Sequence, residues 1–410
     1  MPAALGAADG SARPVGQPEL SLVVAVHDVE PWVDSCLASI VTSAPDGTEV
    51  ILVDDGSTDG SGEVCDRYAA AHPSWRVIHQ PNAGLGAARN VGMAEASGDY
   101  VGFVDGDDLL LPAYTTMLRR AQHAGADVAT GAVQRTDGSR VWRSGLHSRA
   151  LDPVGEVASL REDLSLIYDT TAWNKVYRRS FLQQHALRFP EGVLYEDLPV
   201  TVRALYFAGS VPCVHEPVYS WRTREEGGSI TQRRNELANL VDRFAAVRDV
   251  DGFLAEHELA DLRAAHDLKV LGLDLPLYTS ALPEADDEYR TTYLSFVEHL
   301  VRDLPEDRRN ALPPTLRLYL ELAEAGRMED LVAAVRARRG ARAWATDDSR
   351  GRLQRIREDL ATYRLELELG LVTRRQATRR AAATTTKILL PERLRDAAVG
   401  LRRRGAGPGG

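Results

Sequence analysis

Four short apolar runs, centred on Val24, Ile51, Val77 and Val101, alternate with amphipathic stretches over Pro31–Thr42, Ser61–Ala71 and Gly86–Glu95. This pattern predicts β-α-β-α-β-α-β through about residue 110, hence a parallel sheet with right-handed crossovers. The run Val50-Ile51-Leu52-Val53 is apolar throughout, as strands buried on both faces are. Ser57 or Asp59 is available to cap the second helix. From about residue 235 the strand pattern stops and leucine-rich helical periodicity takes over, predicting helices over Leu237–Leu262, Leu268–Ser280, Tyr289–Leu304 and Leu316–Ala341. A further helix is expected around Asp347–Leu369. The expected organisation is a disordered, Ala/Gly/Pro/Ser-rich segment over 1–18, an α/β domain over 19–235, an all-α domain over 236–345, and a helix with a basic tail over 346–410.

Composition changes this picture in three respects. With 410 residues and 44% hydrophobic content, the chain can bury two or three cores. No apolar run approaches the roughly 18 residues of a membrane span, and the N-terminus has no apolar signal core, so a cytoplasmic protein is expected. Cys36, Cys65 and Cys213 are scattered, odd in number and fit no zinc spacing, which suits buried, reduced thiols. The net charge of −10 hides an asymmetry. Residues 371–410 hold ten basic side chains against two acids, an acidic body with a basic tail.

The candidate chemistry starts at Tyr100-Val101-Gly102-Phe103-Val104-Asp105-Gly106-Asp107-Asp108, an apolar strand that ends in three carboxylates within four residues. Such a cluster is costly in a buried setting unless a cation compensates it. Asp105 and Asp107, two residues apart, can offer oxygens to Mn²⁺ or Mg²⁺ together with the phosphates of a substrate. The plain alternative is an Asp/Gly turn into a helix begun by Leu110-Leu111-Pro112, with Asp108 as its cap. Two other segments ask for the same ligand. Val53-Asp54-Asp55-Gly56 again ends an apolar strand in paired acids, and Asn82-Ala83-Gly84-Leu85-Gly86-Ala87-Ala88-Arg89-Asn90 opens a glycine-rich helix suited to an anion such as diphosphate. Arg89 stands where a dinucleotide fingerprint needs its third glycine, which argues against a nicotinamide cofactor.

Leu22-Val23-Val24-Ala25-Val26-His27-Asp28, Val53-Asp54-Asp55-Gly56-Ser57-Thr58-Asp59, Asn82-x-Gly84-x-x-x-Ala88-Arg89-Asn90 and Asp105-x-Asp107-Asp108 fall in order within residues 22–108. Together they resemble the motifs of glycosyltransferase family 2, over roughly residues 19–235. The resemblance implies a GT-A fold (Rossmann-like, with a mostly parallel sheet), followed here by an all-α C-terminal region. It also implies a nucleotide-diphosphate sugar donor and inversion at the anomeric carbon. It assigns the metal to Asp107 and Asp105, and the donor site to Ala25, His27, Asp55, Asn82, Gly84, Arg89, Asp105 and Gly106. Asp55 matches the acid that reads uracil in relatives, which favours UDP-sugars. Arg89 would be a phosphate or carboxylate neighbour. His27 stands where relatives carry the Tyr of Pro-x-Tyr-Asn, a departure that an imidazole can absorb.

The acceptor half is expected between the metal motif and the helices, where Trp173-Asn174-Lys175-Val176-Tyr177 and Phe189-Pro190-Glu191-Gly192-Val193-Leu194-Tyr195-Glu196-Asp197 resemble the wall teichoic acid and capsule polymer enzymes of the family. That resemblance implies Asp197 as catalytic base, and Glu196 beside it would raise the pKa of one member of the pair, which suits a base. Otherwise the two acids simply begin a helix over Leu198–Phe207. In Tyr219–Thr231, Arg222 or Arg224 would contact a phosphate, and Ser229 would add a hydrogen bond. The expected partners are a nucleotide-sugar and a glycan or polyol-phosphate polymer or its lipid-linked precursor, with no nucleic acid. A homo-oligomer through the helical region is a further expectation. Rival readings are a chain-extending polymerase and a catalytically inactive scaffold of a wall-assembly complex. In the tail, Leu390, Leu394, Ala397, Ala398 and Leu401 recur at helical spacing among arginines. This predicts either peripheral attachment to an anionic inner membrane face or an apolar stripe docked on the helical domain.

Overall fold

The structure is a computed structural model that describes residues 17–223 and 233–343. It divides into two compact units: the first takes the described residues through Arg233 together with Val241–Val270, and the second takes Arg234–Leu240 and the described residues from Leu271 on.

In the first unit, β1 (Leu20–Val26), α1 (Glu30–Ser43), β2 (Glu49–Asp55), α2 (Ser61–Ala71), β3 (Trp75–Gln80), α3 (Leu85–Glu95) and β4 (Tyr100–Asp105) follow one another in the alternation that the hydrophobic pattern predicts. β5 (Leu109–Leu110), α4 (Ala113–Ala124), β6 (Val128–Thr136), β7 (Val141–Arg143), α5 (Gly145–Leu151), β8 (Val157–Ala158), β9 (Lys175–Arg178), α6 (Arg179–Gln184), α7 (Asp197–Ala208) and β10 (Val211–Arg222) come next. The sheet runs β3-β2-β1-β4-β9-β6-β10-β5, with β7 on β6 and β8 on β10. β1 pairs in parallel with β2 and β4, and β2 with β3. β9 enters antiparallel between β4 and β6, while β6 and β10 are parallel. The result is a mixed, mostly parallel GT-A sheet with helices on it. β1 and β2 are buried along their whole length, their apolar middles covered on both faces and Ser21, Glu49, Asp54 and Asp55 buried at their ends.

Local chemistry explains several boundaries. Asp59 accepts from the Ser61 and Glu30 amides, both at 3.0 Å, and so satisfies orphan donors at the starts of α2 and α1 together. Leu109–Leu110 does not begin a helix. It pairs antiparallel with Tyr219 and Ser220 of β10, and α4 starts only at Ala113, so Asp108 is no helix cap.

The remaining helices are α8 (Leu237–Glu256), α9 (Ala260–Lys269), α10 (Leu275–Thr279), α11 (Asp287–Val301), α12 (Glu306–Ala311), α13 (Pro314–Glu324) and α14 (Met328–Ala343). The helix expected over Leu237–Leu262 is interrupted where Glu258 takes a left-handed φ of 55°, and that over Leu316–Ala341 is interrupted at Gly326 (φ 67°). The Asp286 carboxylate caps α11 through the Tyr289 amide at 2.8 Å. Tyr289, Tyr293, Phe296, Leu318 and Leu331 are core residues of the second unit.

Candidate active site

The parallel strands end together. Ala25 is level with Val53 on one side and Asp105 on the other, and Asp55 is level with Gln80. Ligands of such sheets bind beyond these carboxyl ends. Here the Gly106 amide donates to the Ala25 carbonyl at 2.9 Å, and a side chain at Gly106 would press on that carbonyl and on Val26 and Val29. Asp28 holds a left-handed φ of 46° and accepts from the Thr58 amide at 2.7 Å. His27 Nε2 lies 3.0 Å from Asn82 Nδ2. Asp55 is buried and accepts from Gln80 Nε2 at 2.7 Å, the Ala83 amide at 2.9 Å and the Gly84 amide at 2.8 Å. It therefore shapes the loop that opens α3, where Gly84 takes φ 91°. The sequence-selected residues Ala25, His27, Asp55, Asn82, Gly84, Asp105 and Gly106 thus gather at one sheet edge.

The three acids after β4 part company. The Asp105 amide donates to Tyr219 Oη at 3.0 Å. Asp108 is buried and accepts from the Arg222 amide at 2.7 Å. Burial pushes its carboxyl well above the usual carboxylate range, and Asp107 and Asp105 push it further. Asp107 and Asp105 remain half-exposed. Two carboxylates that can offer hard oxygen ligands, beside a third acid that is raised chiefly by burial, suit a divalent cation. Arg222 directs Nη1 to Ser35 Oγ at 3.0 Å. Arg224 and Ser229 lie outside the described residues, as do the N-terminal segment before Gln17 and the basic tail.

Among the described residues, the one tight group of three metal-capable side chains is Asp251, His266 and Asp267, on α8 and α9. The Arg263 guanidinium already sits there, with Nε 3.2 Å from Asp251 and 2.9 Å from Asp267. This is a salt-bridge cluster.

The opposite wall comes from far along the chain. Arg89, buried in α3, donates from Nη1 to Glu196 Oε1 at 2.5 Å and from Nη2 to Asp105 Oδ1 at 2.7 Å, with Phe189 under its guanidinium. It is a neighbour of carboxylates, not a cation presented to a phosphate. Asn90 holds the same loop, accepting from the Phe189 amide at 2.9 Å and donating to the Phe189 carbonyl and the Glu191 carboxylate at 2.8 Å. Gly86 lets that loop approach, since a Cβ there would stand 2.1 Å from the Pro190 carbonyl oxygen. Tyr195 then takes a left-handed φ of 64°, with the Arg243 guanidinium over its ring. Glu196 precedes α7 and Asp197 is its first residue. Burial raises the Glu196 carboxyl to about 7 against the pull of Arg89, and Asp197 adds to the rise. Asp197 is also raised, first by burial and with Asp105 contributing, although Arg89 opposes.

Trp173, Asn174, Lys175 and Tyr177 are buried and line no surface. Trp173 stacks on Tyr219 at 4.3 Å, so it backs the tyrosine that holds Asp105. Asn90, Tyr219 and Asp108 are positional residues to which sequence reasoning gave no role at the site. Asn90 stood in a motif, but its partner lies 99 positions away.

A mostly parallel sheet with D-x-D at one strand end, a glycine-rich helix start beside it and a carboxylate pair opposite, Glu196 buried and Asp197 half-buried, defines a GT-A glycosyltransferase. The comparisons agree. The family model Glycosyl transferase family 2 matches residues 21–186, and that of the Glycosyl transferase TarS linker domain matches residues 236–335. Glycosyltransferase GlyG of Streptococcus pneumoniae is 37% identical over 241 residues, covering 55% of this chain and 78% of its own. The chain belongs to glycosyltransferase family 2. A poly(ribitol-phosphate) beta-glucosyltransferase of Bacillus spizizenii is 23% identical over 315 residues, 74% of this chain and 48% of its own. Residues 1–349 of S. aureus TarS, solved in complex with UDP-GlcNAc, share the fold with a TM-score of 0.60 at 20% identity, over 77% of this chain and 90% of that one. The chain spans less than two thirds of the length of most of the curated relatives it matches. No described helix is long and apolar enough to cross a membrane.

Proposed function

We propose that this protein is an inverting, metal-dependent glycosyltransferase that moves a sugar from a UDP-sugar to a hydroxyl of a polyol-phosphate wall polymer or its lipid-linked precursor. One observation carries the reading: Arg89 joins Asp105 to Glu196, so a strand end suited to a nucleotide-sugar and a carboxylate pair suited to proton removal share one site. The relative that acts on poly(ribitol-phosphate) suggests the acceptor class, and the UDP-GlcNAc of the structural neighbour is the first donor to test.

In this reading Asp55, His27 and Asn82 hold the nucleobase end, and Asp107 with Asp105 would hold Mn²⁺ or Mg²⁺. Such an ion supplies Lewis-acid stabilisation of the departing diphosphate. Arg222 stands on the phosphate side, with Arg224 and Ser229 as further candidates. Asp197 takes the proton of the acceptor hydroxyl as its oxygen bonds to the anomeric carbon and the bond from that carbon to the diphosphate breaks. Its raised pKa brings the base nearer to the pH at which a proton is readily accepted. The test is a thermal-shift screen of nucleotide-sugars with Mn²⁺ present, followed by transfer assays on polyol-phosphate acceptors. A cognate donor stabilises the fold by mass action. No stabilisation by any UDP-sugar, and no metal-dependent hydrolysis, would refute the reading.

A further inference from the structure

At the start of β9 and in the loop before it, the chain buries a charged pair that the proposed chemistry does not use. Lys175 and Asp169 are both fully buried, with Nζ 2.7 Å from Asp169 Oδ1. The ammonium also donates to the Thr171 carbonyl at 2.7 Å and to Asn174 Oδ1 at 3.0 Å, which fills its three donors. Asp169 accepts from Thr130 Oγ1 at 2.5 Å and from Asn174 Nδ2 at 3.0 Å. Apolar residues of similar volume often stabilise a core as well as a buried ion pair does, so stability alone explains this pair poorly.

Its surroundings supply a better reason. The Thr170 carbonyl, next to Asp169, lies 3.0 Å from Thr201 Oγ1, one turn into α7. The same hydroxyl lies 2.8 Å from the Asp197 carbonyl, so its single proton is shared between this loop and the first turn of α7. On the other side, Trp173 stacks on Tyr219, whose hydroxyl accepts the Asp105 amide. Residues 169–175 therefore touch the supports of both catalytic ends. Burial holds the Asp197 carboxyl above the usual carboxylate range; Arg89 from α3, Arg243 from α8 and Lys175 from β9 draw it back toward ionisation, while Asp105 from β4 opposes them.

We propose that Lys175 and Asp169 are a positioning pair: they fix residues 169–175 as a brace that sets the Asp197 carboxylate, at the start of α7, against the strand end bearing Asp105. The proposal rests on Asp197 being the base. It gives the Trp173-Asn174-Lys175 motif a function behind the site and removes it from the acceptor surface.

The test uses the full chain and the variant Lys175→Met/Asp169→Asn, which removes both charges at similar volume, whereas Lys175→Met alone would strand a buried carboxylate. Stabilisation by UDP with Mn²⁺ and the donor KM are expected within about twofold of the parent. The transfer kcat should fall about tenfold or more, as misplaced catalytic groups do. Thr201→Val should lower kcat in the same way and Thr201→Ser should restore it. Parental kcat in the double variant and in Thr201→Val overturns the proposal. So does a joint loss of UDP stabilisation, KM and kcat in both, which would mark a general folding role. Asp197→Asn run alongside separates the two ideas. If it transfers normally, the base assignment and the brace fall together. If it is dead while the double variant and Thr201→Val are normal, only the brace falls.

Discussion

The two walls of the site are built by different means. The donor wall uses residues 20–108, where each strand runs straight into the turn that carries its functional side chains, and parallel pairing brings β1, β2 and β4 level. The opposite wall uses residues 169–222, and its side chains act through partners about a hundred positions away, as Arg89 does with Glu196 and Asp105 with Tyr219. The first wall is local in sequence and half-exposed at Asp105 and Asp107. The second is non-local and more deeply buried at Glu196 and Tyr219, whose polar groups are paired with Arg89 and Asp105 of the first. A wall made by strand ends is organised to receive charge from a ligand. A wall made by a carboxylate pair whose pKa values burial raises is organised to hold a proton.

That contrast can be broken most sharply from the donor side. Chelation with EDTA is expected to abolish transfer, and Asp107→Ala should lose metal-dependent UDP binding while its unliganded melting temperature stays near the parent's. Undiminished transfer by Asp107→Ala in EDTA would show that the strand-end acids do not serve a cation. From the other wall, Asp197→Asn should cost about 10²–10⁴-fold in kcat, the usual worth of a general base, with UDP binding unchanged. If Glu196→Gln were dead and Asp197→Asn normal, the two acids would exchange roles.

Stability should report the buried wall as well. His147, buried against Ser144 and Thr171, has its pKa held down to about 4 by desolvation. Its folded pKa lies below the unfolded value of 6.5, so the unfolded chain binds more protons between them, and stability falls as pH drops from 6.5 toward 4. The loss is on the order of 3 kcal/mol over that window. Glu196, raised to about 7, drifts the opposite way, losing stability as pH rises from 4.5 to 7. The informative measurement is therefore the difference in urea midpoint between the parent and His147→Gln at pH 7 and pH 5. A parent advantage that does not shrink by pH 5 would mean that His147 is not held neutral. The smallest expected effect is at the seam. Gly86→Ala should destabilise by about 1–3 kcal/mol through overpacking against Pro190, and it should lower kcat more than it weakens UDP binding. An unchanged kcat would show that the two walls need not meet so closely.

Much of the fold was legible along the chain. Alternation of apolar runs with amphipathic stretches placed β1 to β4 and α1 to α3, because a strand buried on both faces and a half-buried helix leave different periods in the sequence. Asp105 and Asp107 could be named because charge at the end of an apolar run is visible without coordinates, whereas the Glu196-Asp197 pair was named through the family resemblance, since its residues alone read as a helix start. The long predicted helices were less secure. Backbone reversals at Glu258 and Gly326 cut two of them, and periodicity does not register a single left-handed residue. The alternative of a helix begun by Leu110-Leu111-Pro112 fails at β5, because Leu109 and Leu110 pair with β10 only once the chain has returned from more than a hundred residues away.

What tertiary structure alone decided was partnership. The sequence offered Arg89 as a cation for a phosphate or a carboxylate, and folding placed it between two carboxylates at hydrogen-bond distance. It offered three acids after β4, and folding turned Asp108 inward to the Arg222 amide and left Asp107 and Asp105 half-exposed. It offered Trp173-Asn174-Lys175 as part of an acceptor surface, and folding buried all three. The reason is physical. Secondary structure is set by patterns a few residues long, so the sequence carries it openly. A buried charge must find its counter-charge wherever the chain brings one, and that pairing exists only after elements distant in sequence have packed.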